Sequence, residues 1–239
     1  MKNGIRVVVV MNRKGGCGKS TLVKGLASAA ADRGETVTIF DTDASQSCYK
    51  WMAAGRAAGN WSPLVEVVPT LAADAVLQTI DEIYEQPDQE HLILIDTFGG
   101  GSEAADDYVL AAHLIVTPLM LSRSDVAEAQ ETQEWHRRLA TRVTDQSAVP
   151  PLAAVINRYP NRMSEPERAT LQEAFETLPV IGDFVLNRAA YSRMDREGLL
   201  GSIRDNMVNK GVAAHINDAV AEMSAVLDVL DDTIRAEAN

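Results

Sequence analysis

A three-layer α/β fold, a parallel sheet covered on both faces by helices, is what this 239-residue sequence predicts. Three observations predict it. The stretch Ile5–Met11 is a nearly continuous β-branched run, the pattern of a strand buried on both faces, and it leads straight into a glycine-rich turn. Short apolar strands then alternate with helical stretches along the rest of the chain. Finally, the polar residues suited to chemistry follow directly on strands, where open parallel sheets bind their ligands.

Element by element, the first strand and its turn open a helix over Lys19–Arg33, rich in Ala and Leu, with Gly34 as its C′ residue. A second strand, Thr36–Phe40, ends in Asp41, and a third, His91–Ile95, ends in Asp96. A fourth, His113–Thr117, stops at Pro118, because proline cannot donate to a ladder. The fifth, Leu152–Ile156, ends in Asn157, and Val180–Ile181 reads as a short sixth. Helices are predicted over Thr70–Tyr84 and Asp125–Thr144. A third follows the capping-box spacing of Ser164-Glu165-Pro166-Glu167 and runs to Thr177. No repeat, low-complexity tract or linker interrupts the pattern, so one domain over residues 1–239 is expected.

Composition narrows the function classes. The net charge of −12 repels nucleic acid as a whole, so DNA binding requires a local basic patch, and a basic segment of a partner protein is welcome. The two cysteines, Cys17 and Cys48, lack metal-ligand spacing, and Cys17 lies where a disulfide would disrupt the turn. No apolar run approaches the roughly 20 residues of a membrane span. A soluble, cytoplasmic protein is the expectation.

The turn reads Lys14-Gly15-Gly16-Cys17-Gly18-Lys19-Ser20-Thr21. It is a phosphate-binding loop whose first frame glycine is replaced by Arg13 and which carries an additional lysine, Lys14. Backbone N–H groups of Gly15 to Lys19 suit the phosphates, Lys19 neutralises them, and the Ser20 hydroxyl suits Mg2+. Lys14 sits where no intrachain phosphate contact is required, which points to a nucleotide held by another copy of the chain. Asp96 and Asp41 suit the magnesium shell, and Asp43 suits orienting or activating the attacking water. Each of these aspartates also fits a plain turn or cap, and Asn157 fits a turn.

These residues resemble the ParA/MinD family of deviant phosphate-loop ATPases, whose signature Lys-Gly-Gly-x-Gly-Lys-Thr/Ser matches Lys14 to Ser20. The resemblance extends to Asp41/Asp43, Asp96, Val155-Ile156-Asn157-Arg158, Asn187-Arg188-Ala189-Ala190-Tyr191 and Gly198. It implies ATP and Mg2+ as cofactors, a face-to-face dimer when ATP is bound, and Lys14 reaching the partner's phosphates. It also implies Gly15 to Thr21 around the nucleotide and Asn157 reading the adenine edge. The chain departs from the family after Asp43, where Ala44-Ser45-Gln46 replaces Pro-Gln, and after Asp96, where Thr97-Phe98-Gly99-Gly100-Gly101 replaces a proline pair. That glycine run is a candidate switch segment. With Trp51 and Trp61-Ser62-Pro63 it looks especially similar to the ParA-like accessory ATPase of T-DNA transfer.

Among branches of the family, the long ParA type carries an extension before its first strand, here expected to be absent because that strand starts near Ile5. The membrane helix of MinD is basic, whereas the last residues here carry Asp228, Asp231, Asp232 and Glu237 against Arg235. Their apolar stripe, Ile216, Val220, Met223, Leu227 and Leu230, is therefore expected to pack on the core. The short ParA branch remains, a DNA-positioning or partition ATPase, with DNA-transfer accessory ATPases as the alternative and a metabolic ATP-dependent ligase or kinase as the rival class. The expected partners are non-specific DNA, met by Arg188, Arg193, Arg196, Arg204 and Lys210 against Asp195, Glu197 and Asp205, and a ParB-like or relaxosome-type protein with a basic segment. Nucleoid or plasmid association follows from that reading.

Overall fold

The computed structural model describes residues 4–86, 90–98 and 103–237, the side chains of 103–106, 147 and 210 aside. In chain order the elements are β1 (Ile5–Val10), α1 (Lys19–Asp32), β2 (Thr36–Asp41), α2 (Ser47–Ala57), β3 (Val65–Pro69), α3 (Ala73–Tyr84), β4 (His91–Asp96) and α4 (Glu103–Leu110). There follow β5 (Leu114–Leu119), α5 (Arg123–Arg142), β6 (Leu152–Ile156), α6 (Glu165–Thr177), α7 (Ala189–Glu197), α8 (Leu200–Asp205) and α9 (Lys210–Glu237). The six strands pair in parallel in the order β3-β2-β4-β1-β5-β6. The order reverses around β1, so the turn after β1 opens at a topological switch point, where parallel sheets take ligands.

Every residue of β1, β4 and β5 is buried, as strands covered on both faces require. Alternate side chains of β1 enter opposite cores. Val8 and Val10 pack with Leu22 and Leu26 of α1 and Met223 and Leu227 of α9, whereas Val7 and Val9 pack with Val76 and Ile80 of α3 and Val109 of α4. The stripe Ile216, Val220, Met223, Leu227 and Leu230 is buried in the first of these, so α9 spends its apolar face on the core. Met223 lies so close to Gly25 that a Cβ there would come within 2.5 Å of its Cε, which lets α1 and α9 approach closely. No helix among the described residues is long and apolar enough to cross a membrane.

Among the strands, the structure differs from the sequence expectation in three places. β5 runs through Pro118 to Leu119, because at that point β1 has already ended and the missing N–H faces no strand partner. Val180 forms one isolated bridge with Ala154 and no strand. β3 is an additional edge strand, with Glu66 exposed between buried Val65 and Val67. By contrast, Gly34 has φ of 83° directly after α1, and Ser164 and Glu167 form the reciprocal capping box that starts α6.

Candidate functional site

The loop between β1 and α1 is held from below by Asn12. Its buried side chain donates to the Pro118 carbonyl at 2.9 Å and accepts from the Lys14 N–H at 2.8 Å. Gly16 and Gly18 have φ of 84° and 95°, a conformation that lets successive N–H groups turn inward. Gly18 caps α1 without any side-chain hydrogen bond, and the first turn of the helix carries no acidic residue. The first N–H groups of α1 therefore keep their capacity for an anion.

Lys19 folds over this loop, nearly buried, and its Nζ donates to the carbonyls of Asn12 and Lys14 at 3.3 and 3.2 Å. Lys14 turns the other way, donating to Ser124 Oγ at 2.8 Å and to Asp125 Oδ2 at 2.9 Å, at the start of α5. Cys17 is buried with its thiol on the Lys14 carbonyl, and burial pushes its pKa up, which removes the thiolate character that oxidation needs.

Two carboxylates lie side by side at the ends of β2 and β4, where Asp41 and Asp96 are register partners. Asp41 Oδ2 accepts the N–H groups of Cys48 and Tyr49 at 2.8 and 2.9 Å, which fixes the first turn of α2. Asp96 Oδ2 accepts from the Cys48 thiol at 3.2 Å, but its buried Oδ1 has no partner. Burial pushes the Asp96 pKa up to about 6, against the Ser20 and Cys48 hydrogen bonds that lower it. A buried, under-compensated carboxylate beside a second one and a serine hydroxyl fits a divalent cation. Among the described residues no group of three or more His, Cys, Asp or Glu forms a cage, so these residues supply only part of a shell. Mg2+ tolerates this, since it keeps waters and takes phosphate oxygens.

Asp43 is half-buried in a tight turn. Its Oδ1 accepts the Ser45 N–H at 2.8 Å, its carbonyl accepts the Gln46 N–H at 2.9 Å, and Gln46 adopts a left-handed φ of 52°. The turn that Ala44-Ser45-Gln46 makes is therefore closed and directly precedes α2. Beyond Asp96, Thr97 donates to the Val10 carbonyl and Phe98 is exposed, while Gly99, Gly100 and Gly101 lie outside the described residues.

Asn157 spans the gap from β6 to the loop. Its Nδ2 donates to the Gly18 carbonyl at 3.2 Å and more weakly to that of Cys17, and its Oδ1 accepts the Arg158 N–H at 2.9 Å. A Cβ on Gly18 would lie 2.1 Å from that Nδ2, so the loop fits under Asn157 only because residue 18 is glycine. Beside it opens a depression of about 460 Å3 lined by Thr21, Asn157, Asn187, Arg188, Asp195 and Arg196, adjoining the loop and large enough for a nucleoside.

The basic residues expected to meet DNA are mostly paired. Arg188 binds Glu222 at 2.7 Å, Arg193 binds Glu197 at 2.7 Å, and Arg204 holds Asp32 through both terminal nitrogens, at 2.8 and 3.0 Å. Arg196 is exposed, without an ion pair among the described residues, and the Lys210 side chain lies outside them. Three residues of this region escaped the sequence reading. They are Asn12, Asp125 and Lys24, whose buried ammonium bridges Asp195 at 2.6 Å and Ser47 at 3.0 Å. A lysine inside the apolar run Leu22–Ala27, one turn beyond the loop, was the available signal for Lys24, whereas Asp125 is legible only in three dimensions.

A family model described as "VirC1 protein" matches residues 5–236. The protein virC1 of Rhizobium radiobacter is 30% identical over 189 residues, covering 78% of this chain and 79% of that protein. The protein ParA of the same organism is 26% identical over 239 residues, 96% of this chain and 99% of its own length. Among solved structures, the septum site-determining protein MinD of Pyrococcus horikoshii, complexed with Mg-ADP, superposes with a TM-score of 0.62 at 17% identity, covering 95% of this chain and 97% of that one.

Proposed function

Because the chain belongs to the VirC1 family of ParA/MinD-like ATPases, we propose that it is an ATP-driven switch acting on DNA, the accessory ATPase of a DNA-transfer system. The observation that carries this reading is the division of labour between two lysines of one loop. Lys19 lies over the cradle of its own chain, whereas Lys14 points away from it, toward α5. DNA transfer is favoured over partition by the match of the VirC1 model across residues 5–236 and by the higher identity to virC1 than to the ParA of the same organism.

In the proposed cycle, N–H groups of Gly15 to Lys19 bind the phosphates, Lys19 neutralises them, and Cys17 and Thr21 complete the nucleotide contacts through the loop and the start of α1. Ser20 and Asp96, with Asp41 behind them, would hold the magnesium, which would neutralise charge on the phosphates during transfer to water. Asn157 keeps the loop in place and borders the base. Asp43 orients the attacking water from its closed turn. Two subunits meet across their nucleotides, each Lys14 reaching the other's phosphates, and the dimer aligns two basic surfaces on non-specific DNA. A partner protein with a basic segment stimulates hydrolysis, which separates the subunits and releases the DNA. The reading places the protein in the cytoplasm, with its DNA.

The test uses Asp43→Ala. With Mg-ATP the variant should bind nucleotide, form a dimer that outlives that of the wild type, and stay on DNA in a filter-binding assay. Wild-type turnover in the variant, or ATP binding with no change in DNA affinity in either protein, overturns the proposal.

A further inference from the structure

The turn that carries Asp43 lacks the devices that commonly fix such a turn. Ala44-Ser45-Gln46 contains no proline, Gln46 sits at a left-handed φ of 52°, and α2 starts with no capping side chain and no acidic residue in its first turn. The N–H groups of Cys48 and Tyr49 go to Asp41 instead. Internal hydrogen bonds make the turn one body with α2. Asp43 accepts the N–H groups of Ser45 and Gln46, and Lys50 Nζ donates back from α2 to the Ser45 carbonyl at 2.7 Å. Where this body stands relative to the helix of the phosphate loop is then set by a lysine. Lys24, on α1 five residues beyond Lys19, donates to Ser47 Oγ, on the first residue of α2, at 3.0 Å. The same Nζ donates to Asp195 Oδ1 on α7 at 2.6 Å and lies 5.9 Å from the centre of the Trp51 ring. The Lys24 side chain is 3% exposed, that of Asp195 61%.

We propose that Lys24 is a positioning residue. Through Ser47 it fixes the Asp43 turn against α1, and so sets how fast bound ATP is hydrolysed rather than how tightly it is held. This rests on the reading that Asp43 orients the attacking water. Stability is a poor account of this ammonium. It is almost wholly out of water, its carboxylate partner is mostly in water, and it ends at the first residue of α2, where the helix dipole repels a cation. An apolar side chain of similar length fills the same space at less cost. What the ammonium adds is geometry. A carboxylate, a hydroxyl and an aromatic face surround Nζ, so α1, α2 and α7 are registered on one atom. Because α1 begins with Lys19 and Ser20, a fixed spacing from α1 to α2 is a fixed spacing from the nucleotide to Asp43. A group that orients a water tolerates little displacement, and a shift of about 1 Å costs on the order of a hundredfold in rate. Affinity for ATP escapes this cost, since the cradle is made by residues that precede Lys24.

Turnover of the full chain with Mg-ATP tests this, comparing wild type, Lys24→Met, Ser47→Ala, Asp43→Ala and the double variant Lys24→Met/Asp43→Ala. Calorimetry gives the ATP affinity and circular dichroism the melting temperature of each. Lys24→Met keeps an unbranched side chain of nearly the same length and removes the charge. Its kcat should fall about tenfold or more, while KM and ATP affinity stay within about twofold of the wild type. Its melting temperature should equal or exceed that of the wild type, which a merely structural role would not produce. Ser47→Ala should lower kcat by less. The residual turnover of Asp43→Ala should not change when Lys24→Met is added. Wild-type kcat in Lys24→Met, a loss of ATP affinity or of melting temperature that accompanies the loss of turnover, or a further loss in the double variant overturns the positioning role and leaves the reading of Asp43 standing. If Asp43→Ala itself turns over like the wild type, that reading is wrong and the positioning role goes with it. Should Lys24→Met fail to give the native circular dichroism, Ser47→Ala decides, and an unchanged kcat there counts against the proposal.

Discussion

Two groups of cations are held in opposite ways. In the phosphate loop, Lys19 rests on two neutral carbonyls at 3.2 and 3.3 Å. Around α7 to α9, Arg188 is fixed on Glu222, which the Tyr191 hydroxyl also donates to at 2.6 Å, and Arg204 grips Asp32 bidentately. A carbonyl yields an ammonium to a phosphate at small cost, whereas an arginine in a half-buried carboxylate pair must first break that pair. The difference separates cations poised to change partner from cations that hold helices together. Counting charges in the sequence cannot make that distinction.

The largest effect should come from the poised group. Lys19→Ala removes the ammonium nearest the phosphates, and ATP affinity measured by calorimetry should fall about a hundredfold or more, the scale of two charge-assisted hydrogen bonds. Its present partners are neutral, so the fold should survive. An affinity close to that of the wild type would mean that Lys19 does not leave its two carbonyls for the nucleotide, and the contrast would collapse.

Arg188→Ala tests the other side. It strips Glu222, whose side chain is 10% exposed, of its guanidinium and leaves it with the Tyr191 hydroxyl and the Leu186 N–H. Urea denaturation without nucleotide should show a loss of about 2 kcal/mol, below the range for a fully buried pair because Arg188 is partly solvated. Adding Glu222→Gln should restore part of it. A loss indistinguishable from zero would place Arg188 among the cations free to meet DNA after all.

How much of this the sequence carried depends on the range of each interaction. Strands β1, β2 and β4, the turn at Gly34 and the capping box at Ser164 were legible because each is written in consecutive residues with one dominant preference. β3 was not, since its edge position lets Glu66 face solvent and prolines flank a run of only five residues. Pro118 misled for a related reason. A proline stops a strand only where a neighbour needs its N–H, and whether β1 still lies alongside is a tertiary fact. Within the site, the loop and the two strand-end aspartates could be named from local pattern. The Lys14–Asp125 pair joins residues 111 apart, and the pairing of Arg204 with Asp32 joins residues 172 apart, so the partner of a charge stayed invisible although the charge itself did not.

The smallest expected effect also sharpens the comparison most. Arg196 lies on α7 between the paired arginines, lines the depression beside Asn157 and has no ion pair among the described residues. Nothing in the fold depends on it, so Arg196→Ala should melt with the wild type. If the dimer contacts DNA through this surface, the variant should bind more weakly at low salt, and its plot of log affinity against log salt should lose about one unit of slope per subunit. Arg204→Ala, by contrast, should leave that slope unchanged while lowering the melting temperature, because its guanidinium is committed to Asp32. Equal slopes for wild type and Arg196→Ala place the phosphate contacts on another face. A reduced slope for Arg204→Ala means that ion pairs here open under DNA, and that a cation bound to a carboxylate in the free protein is still available to a phosphate.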